Sequence, residues 1–324
     1  MLPHITDAGG TEKVYDNNVG KEEEGIAHFF DTDSTGTYDS DTDDEAVERF
    51  TKRYIPLVLN DRGLELVIEE DAAQELGCRL WTAALMLYGY LRRRPQPLQQ
   101  QTGDLLTNKR VLEIGAGLGV GGFAAAANGA AHVTIGECDP QSVARLVQTL
   151  QTYTKKAPYE HNNVTVCRHL WEEDLEYLEA HAEDRPMDTV HHWSKHDHSS
   201  QVPTLDFESA FDTVIGSDLL YFSSQEQPLL ATLGLHLKRN GTALLFQTMR
   251  TNNVSIFERF VEAARLYFHV SVMDVTAEEL CRDQLHLASE TPHTTGYKLV
   301  TLRHHSVSER QSTFSDETID QFRD

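Results

Sequence analysis

The stretch VLEIGAGLGVGG, Val111–Gly122, decides the fold class of this chain. A short apolar run typical of a buried strand leads into Gly115, Gly117 and Gly119, and the alanine-rich segment Gly121–Asn128 follows. Glycine lets the backbone turn sharply and come close to a ligand, because no Cβ stands in the way. A strand, a glycine turn and a helix in this order predict a ligand-binding loop at the edge of an α/β sheet.

Two cofactor types compete for this loop. The spacing Gly117-x-Gly119-x-x-Gly122 also matches the dinucleotide fingerprint, which is weak on its own. A carboxylate at Glu113 can hold the cationic amino group of S-adenosylmethionine, directly or through water, and sits badly beside a pyrophosphate. Glu137, about 20 residues past the glycines, can bind the ribose hydroxyls of either cofactor. Because the chain also lacks a Tyr-x-x-x-Lys pair of the short-chain dehydrogenase kind, S-adenosylmethionine is favoured over a dinucleotide and over a purely structural turn.

Strand-like and helix-like runs alternate on both sides of this loop, which predicts an α/β sheet. The predicted strands are Arg110–Ile114, His132–Glu137, Val164–Arg168, Phe211–Ser217, Thr242–Thr248, Phe268–Val275 and Gly296–Arg303, and Leu64–Glu69 is predicted to be a strand or a hairpin. The predicted helices are Cys78–Leu91, Gly121–Asn128, Pro140–Thr152, Gln227–Leu237 and Val254–Tyr267. The folded domain is therefore expected to span residues 50–305.

The ends of the chain differ in composition from this domain. Residues 1–49 are acidic and poor in large apolar side chains, and 306–324 are similarly polar, so both are predicted to be disordered or loose tails. The polar stretch around 180–206, which contains HHWSKHDHSS, is predicted to be an irregular surface insertion. Its histidines are not expected to form a functional metal site, and no metal is predicted elsewhere.

Charge and composition limit the partners and the compartment. The formal net charge is −23, and residues 1–50 carry 14 acids against 3 bases. An acidic surface argues against direct nucleic-acid binding and suits a basic protein substrate. We expect no membrane segment, because the apolar runs are too short to span a bilayer. With four cysteines, no CxxC pair and no signal peptide, we expect a cytoplasmic protein, with the nucleus as the alternative. We also expect a monomer.

Several motifs in order resemble the class I, seven-strand S-adenosylmethionine-dependent methyltransferases, and within them the methyltransferase-like protein-lysine methyltransferases. The resemblance covers roughly residues 55–303. Its parts are GCRLWTAALMLYGYL from Gly77, VLEIGAGLG, HVTIGECD, HLW from His169, FDTVIGSDLLY from Phe211, and LLFQTMR with the later FERF. It implies a doubly wound, Rossmann-like, mostly parallel seven-strand sheet with an antiparallel last strand and helices on both faces. It also implies S-adenosylmethionine as the cofactor and a lysine-bearing protein, such as a translation factor or a chaperone, as the substrate.

The resemblance also assigns roles to individual residues. Asp218 and Tyr221, in the Asp-x-x-Tyr pair, are implied to line the acceptor channel, where Asp218 accepts a hydrogen bond from the amine. Trp81 would wall the methionine end of the cofactor, with an ordinary core tryptophan as the alternative. Leu170 stands where the family often has an aspartate that contacts adenine, so backbone contacts around Leu170 and Trp171 are expected instead. Ser217 precedes the acceptor pair in the same motif and is assigned to cofactor binding.

The expected function is therefore methyl transfer from S-adenosylmethionine to a protein lysine. Two alternatives stay open: transfer to histidine, arginine or a small molecule, and a non-catalytic module that binds the cofactor. Arg250, after the last motif strand, is interpreted as an ion-pair partner or a site residue. The proposed catalytic residues are Asp218 and Tyr221, and the proposed cofactor residues are Trp81, Glu113, Gly115, Gly117, Gly119, Glu137, Leu170, Trp171 and Ser217.

Overall fold

A computed structural model of the chain describes residues 52–71, 76–93, 103–157, 163–182, 202–289 and 293–305. All of them belong to one compact unit that begins at Thr51. The two predicted tails and the histidine-containing stretch lie outside the described residues, so the interpretations of those segments stay predictions.

The described chain forms nine strands. They are β1 (Lys52–Val58), β2 (Glu65–Asp71), β3 (Arg110–Glu113), β4 (His132–Glu137), β5 (Val164–Arg168), β6 (Phe211–Ser217), β7 (Leu237–Arg250), β8 (Phe268–Val275) and β9 (Thr294–His304). Among them run seven α-helices: α1 (Thr82–Arg93), α2 (Val120–Ala127), α3 (Pro140–Lys156), α4 (Trp171–Ala182), α5 (Glu226–His236), α6 (Val254–Ala264) and α7 (Ala277–Cys281).

Seven of the strands form the central sheet, in the order β5-β4-β3-β6-β7-β9-β8. The first five of these pair in parallel, and β9 pairs antiparallel with both β7 and β8. The strand order reverses between β4 and β6 on either side of β3, which is where open α/β sheets bind ligands. The predicted mostly parallel seven-strand sheet with an antiparallel last strand is confirmed.

The sheet is covered on both faces, because neighbouring side chains of a strand point to opposite sides. Val111 and Leu112 of β3 are both fully buried but belong to two different apolar cores. The first core also contains side chains of α1, α2 and α3, and the second contains those of α5 and α6. A parallel sheet needs both layers, because its crossover helices must bury their apolar faces against it.

Helix α6 illustrates how the pattern in the sequence builds this layer. Its buried side chains are the predicted apolar face, made of Ile256, Phe257, Phe260, Val261 and Ala264. These positions recur at intervals of three and four residues and so share one side of the helix. Val254 and Ala263 are partly buried against the same core, the remaining residues of the helix are exposed, and the predicted face of α6 is confirmed.

Several elements differ from the sequence prediction, among them the short helix α7, which was not predicted. Strand β1 was not predicted, yet it pairs along its length with β2 in a separate antiparallel hairpin. Helix α4 was also missed, and its last residues occupy the start of the predicted irregular insertion. At the other end of that insertion Thr204 forms an isolated bridge with Arg168, so this part continues the edge of the sheet.

The parallel strands bring their carboxyl ends to one edge of the sheet. The segments that leave this edge are the glycine loop after β3, Cys138–Asp139 after β4, His169–Leu170 after β5, and the Asp218–Phe222 turn after β6. Within the residues that the structure describes, no helix is long and apolar enough to cross a membrane.

Candidate cofactor and acceptor site

The glycine loop after β3 has a backbone that only glycine adopts readily. Gly115, Gly117 and Gly119 have φ of 54°, 53° and 72°, in the left-handed region. A Cβ at Gly115 would lie 2.9 Å from Leu219 Cδ2 and 3.0 Å from Trp171 Cζ2. Gly115 is thus required both by its conformation and by the side chains that the next loops bring against it.

Glu113, at the end of β3, is buried and directed at the start of α2. Its Oε1 accepts a hydrogen bond from the N–H of Gly121 (3.1 Å) and its Oε2 accepts one from Gly122 (2.7 Å). Burial raises the pKa of Glu113 to about 8, although these two N–H groups act in the opposite direction. Glu113 therefore ties the strand to the helix on either side of the loop, and its predicted contact with the cofactor's amino group stays a prediction.

Glu137 ends β4, and three backbone N–H groups hold its carboxylate in place. Its Oε2 accepts from Gly117 of the glycine loop at 2.7 Å, and its Oε1 accepts from Cys138 at 2.8 Å and Asp139 at 3.2 Å. A carboxylate offers about four acceptor positions, so one remains on Oε2 for an added donor such as a ribose hydroxyl. The structure brings the predicted ribose acid directly to the glycine loop.

Trp81 lies just before α1, in a segment that rests on the same loop. The indole Nε1 donates to the carbonyl of Leu76 at 3.0 Å, and a Cβ at Gly117 would be 3.0 Å from the carbonyl oxygen of Gly77. Trp81 is half-buried. Its position beside the glycine loop is compatible with the predicted wall of the methionine end.

The segment that follows β5 contacts both the glycine loop and the end of β4. The backbone N–H of His169 donates to the carbonyl of Glu137 at 3.0 Å, and the ring of Trp171 lies close to the backbone of Gly115. Leu170 and Trp171 are both half-buried. The structure thus brings these two predicted residues to the same edge as Glu137 and Gly115.

Asp218 follows Ser217, the half-buried last residue of β6, and is one of the few non-glycine residues with positive φ, at 55°. Arg250 donates hydrogen bonds to the Asp218 carboxylate from both terminal nitrogens, from Nη1 to Oδ1 at 3.0 Å and from Nη2 to Oδ2 at 2.6 Å. Gln247 Nε2 adds a third hydrogen bond to Oδ1 at 3.1 Å. Asp218 is therefore already engaged by two neighbours, so its predicted hydrogen bond to a substrate amine would be an additional one.

The turn after Asp218 is held by two glutamine side chains. Gln247 Oε1 accepts from the N–H groups of Leu219 (3.1 Å) and Leu220 (3.0 Å). Gln225 Oε1 accepts from those of Tyr221 (3.1 Å) and Phe222 (3.0 Å). Four successive backbone donors are satisfied in this way, and an unmade hydrogen bond on a buried donor would be costly. This glutamine clamp, Gln225 with Gln247, fixes where Tyr221 stands.

Tyr221 lies near two carboxylates, that of Glu137 on the cofactor side of the site and that of Asp218 on the acceptor side. Burial raises the pKa of Tyr221, and the carboxylates of Glu137 and Asp218 raise it further. The hydroxyl therefore stays protonated and neutral at physiological pH. Its ring meets that of Phe222 edge to face at 5.2 Å, and Phe222 is one of the few large apolar side chains exposed to solvent.

Sequence reasoning missed several residues of this site. Gln225, Gln247 and Asn253 act on backbone groups, and Asn253 Oδ1 accepts the N–H of Arg250 at 2.8 Å. A buried amide in or just beyond a core strand was the available signal for Gln247 and Asn253. Tyr297 of β9 was also missed. Burial raises its pKa, and the charges of Asp218 and Arg250 also act on it.

Comparison with known proteins bears on the family. Residues 60–191 match the family model described as "Lysine methyltransferase". Over 194 residues the chain is 26% identical to the "Protein N-terminal and lysine N-methyltransferase EFM7" of Candida albicans, and the match covers 59% of this chain. The match spans 64% of that relative, which is less than two thirds of its length. These matches confirm the predicted resemblance to lysine methyltransferases.

Solved structures of low sequence identity are also similar. One is titled "A putative sam-dependent methyltransferase from Streptococcus mutans", with 12% identity, a TM-score of 0.45, and coverage of 82% of this chain and 57% of that one. Another is the "Glycopeptide N-methyltransferase MtfA complexed with (S)-adenosyl-L-methionine (SAM)", with 14% identity, a TM-score of 0.42, and coverage of 70% and 95%. Both TM-scores are low, so the fold assignment rests on strand order and direction.

Proposed function

We propose that this chain, whose residues 60–191 match the lysine methyltransferase family, is an S-adenosylmethionine-dependent protein-lysine N-methyltransferase. The observation that carries the proposal is that this family match includes the glycine loop, Glu137 and Trp171, which meet at one edge of the sheet. The rest of the site, from β6 and β7, lies beyond the matched residues and supports the proposal through its chemistry.

The residues at this edge fit the proposed cofactor. Glu137 has a fixed orientation and an acceptor position for a ribose hydroxyl. The half-buried side chains of Leu170, Trp171 and Trp81 offer apolar surface for an adenine ring and a methionine chain. S-adenosylmethionine supplies, when bound, a methyl group on a positively charged sulfur that is open to attack by an amine.

The chain itself must align the acceptor amine and keep water away. The glutamine clamp fixes the Asp218–Phe222 turn, so the acceptor side is pre-organised. Tyr221 offers a neutral hydroxyl and a ring face, which can attract an alkylammonium group before it loses its proton. Asp218 offers its remaining acceptor capacity, with its charge partly balanced by Arg250.

A second acceptor deserves a separate test. The relative from Candida albicans is named as an N-terminal as well as a lysine methyltransferase. A protein α-amine and a lysine ε-amine are both primary amines, and either can enter a site built for in-line transfer to nitrogen. About half of an α-amine is neutral at its ordinary pKa of about 7.7–8.0, whereas a lysine amine, with an ordinary pKa of about 10.4, is almost entirely protonated at that pH.

The proposed substrate, oligomeric state and location rest on the sequence alone. We propose a basic, lysine-bearing protein as the substrate, because the chain carries a formal charge of −23. A monomer in the cytoplasm, with the nucleus as the alternative, stays the working prediction. The number of methyl groups added depends on the room around the amine after each transfer.

The experiment is to incubate the purified protein with tritiated S-adenosylmethionine and a cell extract. Mass spectrometry of labelled proteins then identifies the modified atom, and an extract with blocked α-amines separates the two amine acceptors. We expect label on lysine. Label only on histidine, arginine or a small molecule would replace the proposal by another transferase, and cofactor binding without any transfer would favour a non-catalytic module.

A further inference from the structure

A second polar cluster lies behind the cofactor edge, in the second apolar layer. It consists of His169 after β5, Asp174 in the first turn of α4, and Thr232 and His236 of α5. Their exposed fractions are 3%, 1%, 0% and 0%. Buried polar groups must satisfy each other when water is excluded, so the contacts of this cluster determine its protonation.

The carboxylate of Asp174 is the centre of the cluster. His169 Nε2 lies 2.8 Å from its Oδ2, Thr232 Oγ1 donates to the same oxygen at 2.6 Å, and His236 Nε2 lies 3.2 Å from Oδ1. Although burial acts to raise the pKa of Asp174, the hydrogen bonds from His169 and His236 outweigh it and hold the pKa well below its usual range. Asp174 is therefore ionised.

The contacts of His236 require a proton on each ring nitrogen. Its Nδ1 lies 2.8 Å from the carbonyl oxygen of Ser209, which can only accept a hydrogen bond, so Nδ1 carries a proton. Its Nε2 faces an ionised carboxylate, and a bare nitrogen lone pair there would face a second acceptor. A proton on both nitrogens removes the conflict and makes the ring an imidazolium.

His169 differs from His236, because its Nδ1 has no acceptor among the described residues to which it could donate a hydrogen bond. Nε2 donates to Asp174, and Nδ1 is buried without a hydrogen-bond partner among the described residues. A buried N–H without an acceptor costs more than an unpaired nitrogen lone pair in an apolar setting. The neutral Nε2–H tautomer is thus the favoured form of His169, and the cluster contains one positive and one negative charge.

A bound metal ion would be an alternative to the His236 imidazolium as the positive charge beside Asp174, because two imidazoles and a carboxylate can ligate zinc. The four buried side chains do not have that geometry. Ligand atoms around a tetrahedral zinc lie about 3.3 Å apart for bonds of about 2.0–2.1 Å, whereas His169 Nε2 is 2.8 Å from Asp174 Oδ2. The possible ligand atoms of His169, Asp174 and His236 all lie within 4.8 Å of one another, but each ring already contacts a different carboxylate oxygen directly. A zinc ion between them would have to separate His169 Nε2 from Asp174 Oδ2.

We propose that a buried ion pair between Asp174 and the His236 imidazolium, extended by His169 and Thr232, positions the cofactor pocket. His169 transmits the effect, because its backbone N–H donates to the carbonyl of Glu137, at 3.0 Å, while its side chain is held by Asp174. Leu170 and Trp171 follow directly. The cofactor readout of this inference rests on the proposed function, whereas the protonation of His236 does not.

The surroundings of the pair contain few other titratable groups. Cys167 of β5 is buried, and the charge of Asp174 contributes to raising the pKa of its thiol to about 12, with burial as the larger cause. The ring of Phe211 lies edge-on to His236 at 6.4 Å between centroids, and that of His169 at 5.3 Å. Glu173, next to Asp174, is paired with Arg168 at 3.2 Å. None of these residues places a second carboxylate in contact with Asp174.

The first test is nitrogen NMR of the full chain labelled in its histidines, at neutral pH, with metal content measured on the same sample. The signals of His236 are assigned by their loss in His236→Asn. We expect both ring nitrogens of His236 to be protonated and His169 to be neutral. A neutral His236, or one equivalent of zinc that disappears in His236→Asn, would overturn the ion pair, whether or not the protein binds the cofactor.

The second test asks whether the pair positions the pocket. Asp174→Asn and the milder Thr232→Val are compared with Asp212→Asn, which alters a partly exposed ion pair with Lys238 at the start of β6. We expect Asp174→Asn to raise the KM for S-adenosylmethionine about tenfold with a smaller effect on kcat, and Thr232→Val to shift it in the same direction. Asp212→Asn should match the wild type.

The outcomes of this second test distinguish the positioning role of the cluster from the proposed function of the protein. An unchanged KM in a folded Asp174→Asn or Thr232→Val variant would overturn the positioning role, even with an imidazolium at His236. A wild-type protein that binds no S-adenosylmethionine would instead overturn the proposed function, and the NMR result would still decide the ion pair.

Discussion

Arg250 holds both carboxylate oxygens of Asp218, with Nη1–Oδ1 and Nη2–Oδ2 distances of 3.0 and 2.6 Å and side-chain exposures of 12% and 6%. The two residues come from consecutive parallel strands of the sheet, β6 and β7. A bidentate pair of this kind fixes the plane of the carboxylate as well as its position. The acceptor side of the site is therefore built around an ion pair and not around an isolated acid.

Removing one charge of this pair should destabilise the fold. For Asp218→Asn we expect a loss of about 3–5 kcal/mol in the free energy of unfolding, because a buried arginine is left without its partner. Asp274→Asn, which breaks the exposed pair with Lys298, should cost under about 1 kcal/mol. Urea unfolding measures both. A loss at Asp218 no larger than at Asp274 would mean that the pair is not closed in solution.

Transfer rates distinguish a role of Asp218 at the amine from its role in holding Arg250. If Asp218 also accepts a hydrogen bond from the substrate, Asp218→Asn should lower single-turnover transfer more than Arg250→Gln, which leaves the carboxylate. A lost charged hydrogen bond of about 1.5–3 kcal/mol corresponds to roughly ten- to more than hundredfold. Equal losses in the two variants would assign Asp218 to positioning alone.

Glu137→Gln should weaken cofactor binding before it affects transfer. The amide keeps one oxygen for backbone donors but loses the charge that would hold a ribose hydroxyl, so we expect a Kd for S-adenosylmethionine about tenfold higher. Calorimetry gives the Kd, and the thermal shift by S-adenosylmethionine, with NADH as the negative control, gives a second reading. Asp274→Asn, at the exposed pair with Lys298, should bind as the wild type does. Stabilisation by NADH alone would contradict the choice of cofactor.

The raised pKa of Glu113 makes stability depend on pH. The folded state binds a proton with a pKa of about 8 and the unfolded state with the ordinary value of 4.5. Folded protein thus holds more protons between these values, and the contribution of Glu113 to stability falls as pH rises through this window and is constant above it. Comparing unfolding free energies of wild type and Glu113→Gln from pH 5 to 9 should show this fall only in the wild type. Parallel curves would exclude the raised pKa.

The crowded glycine should be less tolerant than an open one. Gly115→Ala and Gly63→Ala both place a Cβ at positive φ, with a strain of about 1–2 kcal/mol. Only Gly115 has side chains in the way, since nothing lies within 4 Å of a Cβ at Gly63. We therefore expect Gly115→Ala to lose more stability and to bind S-adenosylmethionine more weakly. If the two variants unfold alike and bind alike, Trp171 and Leu219 do not pack against the loop.

The parts of the fold that follow local patterns were predictable. Val111–Gly122 and the strand ending at Glu137 have signatures within a few residues, and the edge they share follows from the geometry of parallel strands. The partners of Asp218 and Tyr221 were harder, because Gln247 and Gln225 act through single hydrogen bonds that no periodicity announces. Arg250 was considered as a pair partner, but its bidentate geometry depends on the register of β6 against β7.

The buried cluster was beyond the reach of sequence reasoning for a related reason. Asp174 and His236 are 62 positions apart, and the prediction had no helix at α4 that could bring Asp174 inward. The acidic start of that segment was typical of a solvated surface. Only the packing of α4 against α5 turns those side chains into a buried network.

The place of β9 in the sheet has a consequence for synthesis of the protein on the ribosome. β9 is the last described strand, yet it lies between β7 and β8, so β8 has no described partner until residues 294–304 have emerged. Until then the growing chain exposes the apolar edge of β7, a template for pairing with other chains. A nonsense mutation between β7 and β9 should therefore yield an aggregating product and not a shortened enzyme.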